Sequence, residues 1–170
     1  MRTIKFRGKN KKGEWLYGDL LHWHGVYEDP WIQIGVEKLF DQVTAKGGSV
    51  VPETVGQFVG LHDKNGKEIY EGDIVRSDDY PFSDLNDNER DNYMGVVFCV
   101  TGEDDSIGEF QVMQFVTKKS TRSGISNFIN KSFYDINMDN LEVIGNIFDN
   151  KGLFRDSDDE ILQWYKDEDS

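Results

Sequence analysis

Apolar and polar residues alternate along much of this chain, and a period of two predicts β-strands rather than helices. The alternation opens at residues 4–7 and resumes at residues 15–23, after a turn formed by residues 10–13. Trp15 and Tyr17 then share one face of the returning strand, because side chains two apart point the same way. The pattern therefore predicts an N-terminal β-hairpin.

The same alternation predicts further strands at residues 31–36, 54–61, 94–101, 109–117 and 141–148. Three other segments interrupt the pattern. Residues 37–46 fit either a strand or a short helix, and we expect Gly47-Gly48 to end that element in both cases. Residues 77–93 and 118–130 are polar, and we predict that the first of these segments is an exposed loop between strands.

Two turn signals lie in the segment from Gly60 to Arg76. Asn65-Gly66, between apolar runs, supplies the positive φ angles of a two-residue type I′ hairpin turn. Gly72 permits a sharp bend into a β-branched strand, and Asp73 is expected to hydrogen-bond the backbone of that turn. This second turn is one that recurs in small SH3-like barrels. We therefore predict structural roles for these residues; the alternative, an acid pair of Glu71 and Asp73, has no evident partner base.

Near the carboxyl end the apolar period changes from two to about 3.6. Ser157 and Glu160 fit a capping box, with the serine as N-cap and the glutamate at the third helical position. Apolar residues at helical spacing follow, Trp164 among them. This segment predicts a short, capped C-terminal helix.

These elements predict an α+β fold that is predominantly antiparallel β. At 170 residues the chain can bury one substantial core. We predict a single mainly β domain over residues 1–150, which combines the N-terminal hairpin with an SH3-like barrel element at about residues 55–148. Residues 151–170 are predicted to form an acidic tail with the short helix.

The formal net charge of −13 opposes non-specific binding to nucleic acid, which depends on cations that neutralise phosphates. The charges are unevenly placed. Residues 1–12 carry six cations and no acid, whereas acidic residues gather at 78–91 and beyond 155. Cys99 is the only cysteine, so no intramolecular disulfide can form. That fits a reducing cytoplasm, and no apolar segment resembles a signal peptide or a membrane span.

Candidate chemistry is sparse. His22 and His24 lie two apart on a predicted strand and could supply two ligands of a zinc site. His62 or Asp19 could be the third ligand, but no spacing selects either of them. Ordinary surface histidines are the favoured interpretation, and Cys99 fits a buried structural thiol. We predict no catalytic residue, no metal site and no cofactor.

Four segments in order resemble the YopX family of phage and prophage proteins. They are the N-terminal hairpin from Ile4 to Leu20, the approach from Pro52 to Leu61, the central segment from Gly60 to Arg76, and the closing segment from Leu141 to Phe148. The resemblance implies a phage or prophage origin, a mainly β fold and an oligomeric state. It brings no catalytic residues, and it does not extend to residues 78–92 or 157–168.

The leading functional hypothesis is a non-enzymatic, homo-oligomeric protein-interaction module in the cytoplasm of a bacterial host. It would bind its own copies, or a host or phage protein, and no membrane. Its predicted interaction surface comprises Arg2, Lys5, Arg7, Trp15, Tyr17 and Trp164. The alternative is a nucleic-acid-binding SH3-like module, in which Trp15 or Tyr17 stacks on bases. A metal-dependent enzyme is the third hypothesis.

Overall fold

The computed structural model describes residues 4–22, 29–39, 42–77, 93–100, 109–115, 128–133 and 136–153. Within these ranges the chain forms antiparallel strands with short 3₁₀ turns at Pro52–Thr54, Met138–Asn140 and Lys151–Leu153. The predicted mainly antiparallel β fold is therefore confirmed. Contacts divide the chain into two compact units, Met1–Leu61 and His62–Ser170.

The described residues of the first unit form five strands in the spatial order β4-β3-β2-β1-β5. Their bounds are β1 Phe6–Lys9, β2 Trp15–Leu21, β3 Trp31–Leu39, β4 Gln42–Ser49 and β5 Gly56–His62. The predicted N-terminal hairpin is β1 and β2, which pair antiparallel with Arg7 opposite Tyr17 and Lys9 opposite Trp15.

The turn of this hairpin is organised by one asparagine side chain. The Oδ1 atom of Asn10 accepts hydrogen bonds from the backbone N–H groups of Lys12 at 2.9 Å and Glu14 at 3.0 Å. Gly13 adopts a φ of 83°, a left-handed conformation that costs little without a Cβ atom. Local side-chain bonding thus determines the register in which β1 meets β2.

Among the described residues, the buried hydrophobic side chains of the first unit are those of Ile32, Val50, Phe58 and Val59. The segment after β4 is held against β1 by the backbone. Val51 N–H donates to the Lys9 carbonyl at 2.8 Å, and Lys9 N–H donates to the Thr54 hydroxyl at 2.8 Å. These bonds keep Val50 over Gly8, where an added Cβ atom would lie 2.9 Å from the valine side chain.

The described residues of the ambiguous segment, 37–39 and 42–46, are strand, since β3 and β4 pair from Trp31–Ser49 to Leu39–Gln42. The expectation that Gly47-Gly48 ends this element is wrong, because β4 runs through both glycines. A Cβ atom at Gly47 would overlap the Ile32 carbonyl oxygen, and one at Gly48 would lie 3.0 Å from Leu16 Cδ1. The glycines therefore permit close packing within the strand and do not terminate it.

Six strands lie in the described part of the second unit. They are β6 Glu68–Tyr70, β7 Asp73–Ser77, β8 Tyr93–Val100, β9 Glu109–Phe115, β10 Phe128–Ser132 and β11 Leu141–Asn146. Five of them form one sheet in the order β10-β9-β8-β7-β11. Its core consists chiefly of β-branched side chains on the two central strands and β11: Ile74, Val75, Val96, Val97, Leu141 and Val143.

Strands β7 to β10 form a meander, and β11 returns to pair with β7. The predicted SH3-like barrel is not confirmed. Among the described residues, the sheet has β10 at one edge and β11 at the other, and these two strands do not pair to close it. Strand β10 was not predicted, since Phe128 and Ile129 are its only strongly apolar residues. Pairing with β9, rather than its own sequence, makes this segment a strand.

The predicted C-terminal helix lies outside the described residues, as do its cap residues Ser157 and Glu160. In the described part of the chain, no helix is long and apolar enough to cross a membrane. The predicted domain bounds, 1–150 and 151–170, stay predictions.

Candidate functional site

Asp63 is the buried anchor of the central segment, at the start of the turn between β5 and β6. Asp63 is only 6% exposed. Oδ1 accepts hydrogen bonds from the N–H groups of Asn65 at 2.8 Å and Lys67 at 2.9 Å. Oδ2 accepts from the N–H of Val143 in β11 at 3.0 Å. One carboxylate therefore shapes the turn and attaches it to a strand 80 residues away.

This turn is longer by one residue than the predicted two-residue type I′ turn. Gly66 N–H donates to the Asp63 carbonyl, and Asp63 N–H donates to the Lys67 carbonyl, both at 2.9 Å. Gly66 has a φ of 78° and closes a three-residue loop that includes Asn65. The type I′ prediction is wrong because the Asp63 side chain binds the N–H of Lys67 and so draws one more residue into the turn.

Gly72 and Asp73 form the bend between β6 and β7. Asp73 is 1% exposed, and its Oδ2 atom accepts the N–H of Tyr70 at 2.9 Å. Gly72 has a φ of 78°, donates its N–H to Val97 at 2.8 Å and accepts the N–H of Ile147 at 3.0 Å. The bend thus bonds to the strand β8 and to the residues that follow β11.

A small ionic cluster lies beside the Asp63 turn. Glu142 Oε2 is 3.3 Å from Lys64 Nζ and 3.0 Å from Arg76 Nη2. Lys64 also donates its backbone N–H to Leu141 at 2.9 Å. Together with the Asp63 and Asp73 bonds, these contacts make a unit that we call the motif clamp: residues 63–73 with Arg76 and residues 141–143.

Electrostatics indicate that the motif clamp is structural. Burial alone would raise the pKa of Asp63, but N–H bonds from Val143, Lys67 and Asn65 and the charge of Lys67 outweigh burial and lower it. Hydrogen bonds from Arg76 and then Lys64 lower the pKa of Glu142. Carboxyl groups that stay ionised near neutral pH are poor general acids, and the oxygens of Asp63 are already engaged by backbone.

A different surface is formed by the side chains that alternate along β1 and β2. We call it the basic–aromatic strip, and it comprises Lys5, Arg7, Lys9, Trp15 and Tyr17. The β1–β2 register places Arg7 and Lys9 directly opposite Tyr17 and Trp15, so these four residues share one face of the hairpin. The opposite face carries Gly8, which contacts the buried Val50.

Trp15 is the centre of the strip. Arg7 Cζ lies 4.8 Å from the centroid of its ring, and Lys9 Nζ lies 5.5 Å from the same centroid. Both distances are within the range of cation–π attraction. Arg7 is only 4% exposed, whereas Tyr17 is 43% exposed. Arg7 therefore supports the indole ring of Trp15 from a buried position. The ring of Tyr17 and the charge of Lys9 lie nearer the surface.

The structure describes only some of the other residues that the sequence singled out. Arg2 and Trp164 lie outside the described residues, as does His24. His22, Asp19 and His62 are exposed. The described residues contain no group of three histidine, cysteine or acidic side chains placed to hold a metal ion. Cys99 is half-buried within β8, opposite Phe110.

Two important residues were missed by sequence reasoning. Asp63 was not singled out, although an aspartate two residues before Asn-Gly is a recognisable signal for side-chain bonding within a turn. Lys9 was noted only as one of several N-terminal cations. Its place beside Trp15 follows from the register of the hairpin, which single-residue patterns do not show.

The comparisons with known proteins identify a family and a solved structure of similar fold. The family model described as YopX protein matches residues 5–155. The crystal structure of protein EF1440 from Enterococcus faecalis is similar, with a TM-score of 0.53 and 21% sequence identity, and the match covers 91% of this chain and 100% of that one. At this identity the likeness shows the fold alone. No curated protein matches the sequence.

Proposed function

Because this chain belongs to the YopX protein family, we propose that it is a non-enzymatic interaction module that assembles with copies of itself. The binding surface in this proposal is the basic–aromatic strip, and its target is an acidic segment of another copy. A phage or prophage origin and a place in the bacterial cytoplasm belong to the same proposal.

The observation that carries the proposal is the arrangement around Trp15. Two cations lie within 5.5 Å of its ring, and Tyr17 is exposed directly across from Arg7. Rings and cations side by side suit a peptide that offers carboxylates together with aromatic or aliphatic side chains. Aromatic and arginine residues are also the types that contribute most of the free energy of protein interfaces.

The chain itself contains a segment of that chemistry. Residues 156–169 hold seven acidic residues, and Trp164 and Tyr165 lie among them. Attraction between this segment and the strip of another copy would offset part of the repulsion expected between molecules of net charge −13. A host or phage protein with a similar acidic segment would compete for the same strip.

Solution mass, measured by light scattering at low and high salt, tests this function. We expect an oligomer that dissociates as salt is added, because contacts between exposed charges are screened. Lys9→Glu should weaken the assembly by about tenfold or more, equivalent to about 1.4 kcal/mol. Lys12→Glu is the matched control: it changes the charge equally, but it lies in the exposed turn of the hairpin. A chain that is monomeric at both salt concentrations would overturn the proposal.

Nucleic-acid binding is the second candidate, and the same strip favours it. Trp15 and Tyr17 could stack on bases while Lys5 and Lys9 neutralise phosphates. The net charge of −13 acts against this function. A gel shift with single-stranded oligonucleotides at low salt, lost in Trp15→Ala, would support it. No shift at low salt would exclude it.

A metal-dependent enzyme is the third candidate. It would require His22 and His24 as ligands, and metal analysis of the purified chain tests it directly. Stoichiometric zinc that His22→Ala removes would support this candidate.

We also propose that residues 55–148, approximately, form an SH3-like barrel element. The meander of β7 to β10, the 3₁₀ turn at Met138–Asn140 and the return of β11 to β7 favour that description. An experimental structure of the chain would test whether the row of strands closes.

A further inference from the structure

Asn65 and Gly66 form the exposed tip of the turn between β5 and β6. Asn65 is the one asparagine in the sequence that a glycine follows. Asparagine is a thermolabile residue, and a following glycine makes it more so, because no Cβ atom hinders the glycine nitrogen from reaching the asparagine side chain. An added Cβ atom at Gly66 would meet no atom within 4 Å, so water has open access to this part of the turn.

The reaction open to this pair is deamidation without an enzyme. The Gly66 nitrogen loses its proton to water and attacks Cγ of Asn65, and the new N–Cγ bond forms as the Cγ–Nδ2 bond breaks. Ammonia leaves, and a cyclic imide remains. Water then opens the ring at either of its carbonyls. Cleavage at Cγ gives aspartate, whereas cleavage at the backbone carbonyl gives isoaspartate, in which the chain continues through Cγ.

In the closed turn the reacting nitrogen is occupied. Gly66 N–H donates to the Asp63 carbonyl oxygen at 2.9 Å, and Asn65 N–H donates to Asp63 Oδ1 at 2.8 Å. Attack on Cγ requires the Gly66 nitrogen to give up its hydrogen bond and to turn toward the asparagine side chain. We therefore expect the closed turn to be protected, so that the reaction proceeds from a locally opened state.

The isoaspartyl product does not fit the closed turn. It lengthens the backbone between residues 65 and 66 by one carbon–carbon bond, about 1.5 Å. The ring that Gly66 N–H closes with the Asp63 carbonyl then contains one more atom. Asp63 also accepts the N–H of Val143 in β11 through its Oδ2 atom, at 3.0 Å. A change of the turn around Asp63 therefore weakens its attachment to β11.

We propose that Asn65 is a covalent modification site, and that its deamidation to isoaspartate opens the motif clamp. The reaction consumes only water, and the isoaspartyl product keeps the clamp from closing again. The aspartyl product restores an ordinary backbone and lets the turn re-form. Because ammonia leaves, the fraction of modified chains records how long the turn has been open. This site is independent of the proposed self-association.

Asn10 is an internal control within the same chain. It also lies in a hairpin turn, where its Oδ1 atom accepts the N–H groups of Lys12 and Glu14, but Lys11 follows it in place of a glycine. The Lys11 side chain hinders attack by its own backbone nitrogen. In denaturant, where both turns are open, we expect Asn10 to convert at least about tenfold more slowly than Asn65.

Mass spectrometry of peptides that contain residue 65 measures the reaction after incubation of the full chain, and chromatography separates the isoaspartyl from the aspartyl form. We expect conversion in buffer to be at least about tenfold slower than in denaturant, which corresponds to about 1.4 kcal/mol of protection. Equal rates in the two solvents would show that the closed turn does not protect Asn65. The absence of isoaspartate even in denaturant would show that Asn65 is no modification site. Either result overturns the proposal.

Asp63→Ala tests whether the clamp controls the rate. The turn loses the acceptor of its N–H groups, so we expect Asn65 to convert at least about tenfold faster in buffer, with an unchanged rate in denaturant. Lys64→Ala is the matched control, because it alters the adjacent residue and leaves the bonds to Asp63 in place. Equal rates for Asp63→Ala and Lys64→Ala in buffer would overturn the proposal. The comparison of solvents for the unaltered chain is decisive even if Asp63→Ala does not fold.

Thermal unfolding of the separated products tests the effect on the clamp. We expect the isoaspartyl chain to melt at least about 4 °C below the unaltered chain. Freshly purified Asn65→Asp is the control, since it adds the same charge on an ordinary backbone, and it should melt within about 2 °C of the unaltered chain. An isoaspartyl chain that melts together with Asn65→Asp would overturn the proposed opening of the clamp.

Discussion

The motif clamp and the basic–aromatic strip use charged residues in opposite ways. In the clamp, Asp63 and Asp73 are buried and their carboxylates accept backbone N–H groups. In the strip, the cations surround Trp15, and Tyr17 is exposed at the surface. The first arrangement stabilises the chain. The second combines the buried Arg7 with the half-buried Lys9 and the exposed Tyr17, and we propose that Lys9 and Tyr17 meet a partner.

The segment that resembles a family most clearly is therefore the structural one. A buried carboxylate, or a glycine with a positive φ, restricts which residues its position accepts. Such positions therefore form a recognisable sequence motif. An interaction surface built from common lysines and rings carries no comparable signature. Substitutions in the clamp should change stability, and substitutions in the strip should change assembly.

Among substitutions in the clamp and the strip, the largest effect is expected for Asp63→Ala. The change leaves the N–H groups of Val143, Asn65 and Lys67 without their acceptor and removes charge-assisted bonds, at a cost of about 3 kcal/mol. Chemical denaturation measures this loss. The neighbouring Lys64→Ala removes a partly exposed ion pair with Glu142, and should cost less than about 1 kcal/mol. Equal losses in the two variants would contradict the role of Asp63 as the anchor.

The next largest loss of stability is expected for Gly72→Ala, and Gly66, which has the same φ, provides the comparison. Gly72→Ala places a Cβ atom 3.2 Å from the Phe148 ring in a left-handed conformation, and should cost about 2–3 kcal/mol. Gly66→Ala has the same φ of 78° but meets no atom within 4 Å, so about 1–2 kcal/mol is expected. Thermal unfolding of both variants checks the difference, and Gly66→Ala as the more damaging change would refute it.

Acid should weaken the clamp. The folded chain lowers the pKa of Asp63, so as pH falls the unfolded chain takes up the proton first, near its ordinary pKa of about 3.9. The stabilisation is present above that value and is lost as pH falls through the lower folded pKa. We expect Asp63→Asn to lose less stability than the unaltered chain between about pH 5 and pH 2. Parallel pH profiles for the two proteins would count against this assignment.

A smaller effect is expected for Glu142→Gln. The change removes the ion pairs with Arg76 and Lys64 at a partly exposed position, so stability should fall slightly, and added salt should reduce the difference. Denaturation at low and high salt measures it. A loss as large as that of Asp63→Ala would mean that the ionic cluster, not the buried carboxylate, holds the turn to β11.

The smallest effect on stability is expected for Tyr17→Ala, at the surface of the strip. We predict a change within about 0.5 kcal/mol, together with a clear loss of self-association by light scattering. Phe58→Ala is a useful contrast, since this 6% exposed ring should cost several kcal/mol, about 3–5 for a buried phenylalanine. A Tyr17→Ala protein that assembles normally would remove the tyrosine from the proposed surface.

Sequence patterns predicted the elements that are determined locally. The N-terminal hairpin follows from alternation and from Asn10 in its turn, and the strands β5, β7 and β11 follow from β-branched runs. Strand β10 was missed because its polar residues show no alternation, and it becomes a strand through pairing with β9. The passage of β4 through Gly47 was missed because close approach to Ile32 is a tertiary fact.

The sequence by itself determined a mainly β chain, the positions of its bends at Gly13, Gly66 and Gly72, and its opposed basic and acidic segments. These properties depend on neighbours in the chain, through φ preferences, side-chain period and charge. Only the tertiary structure decided that Asp63 binds Val143 and that Lys9 lies beside Trp15. Such contacts depend on strand order and register, which arise from pairings between distant segments.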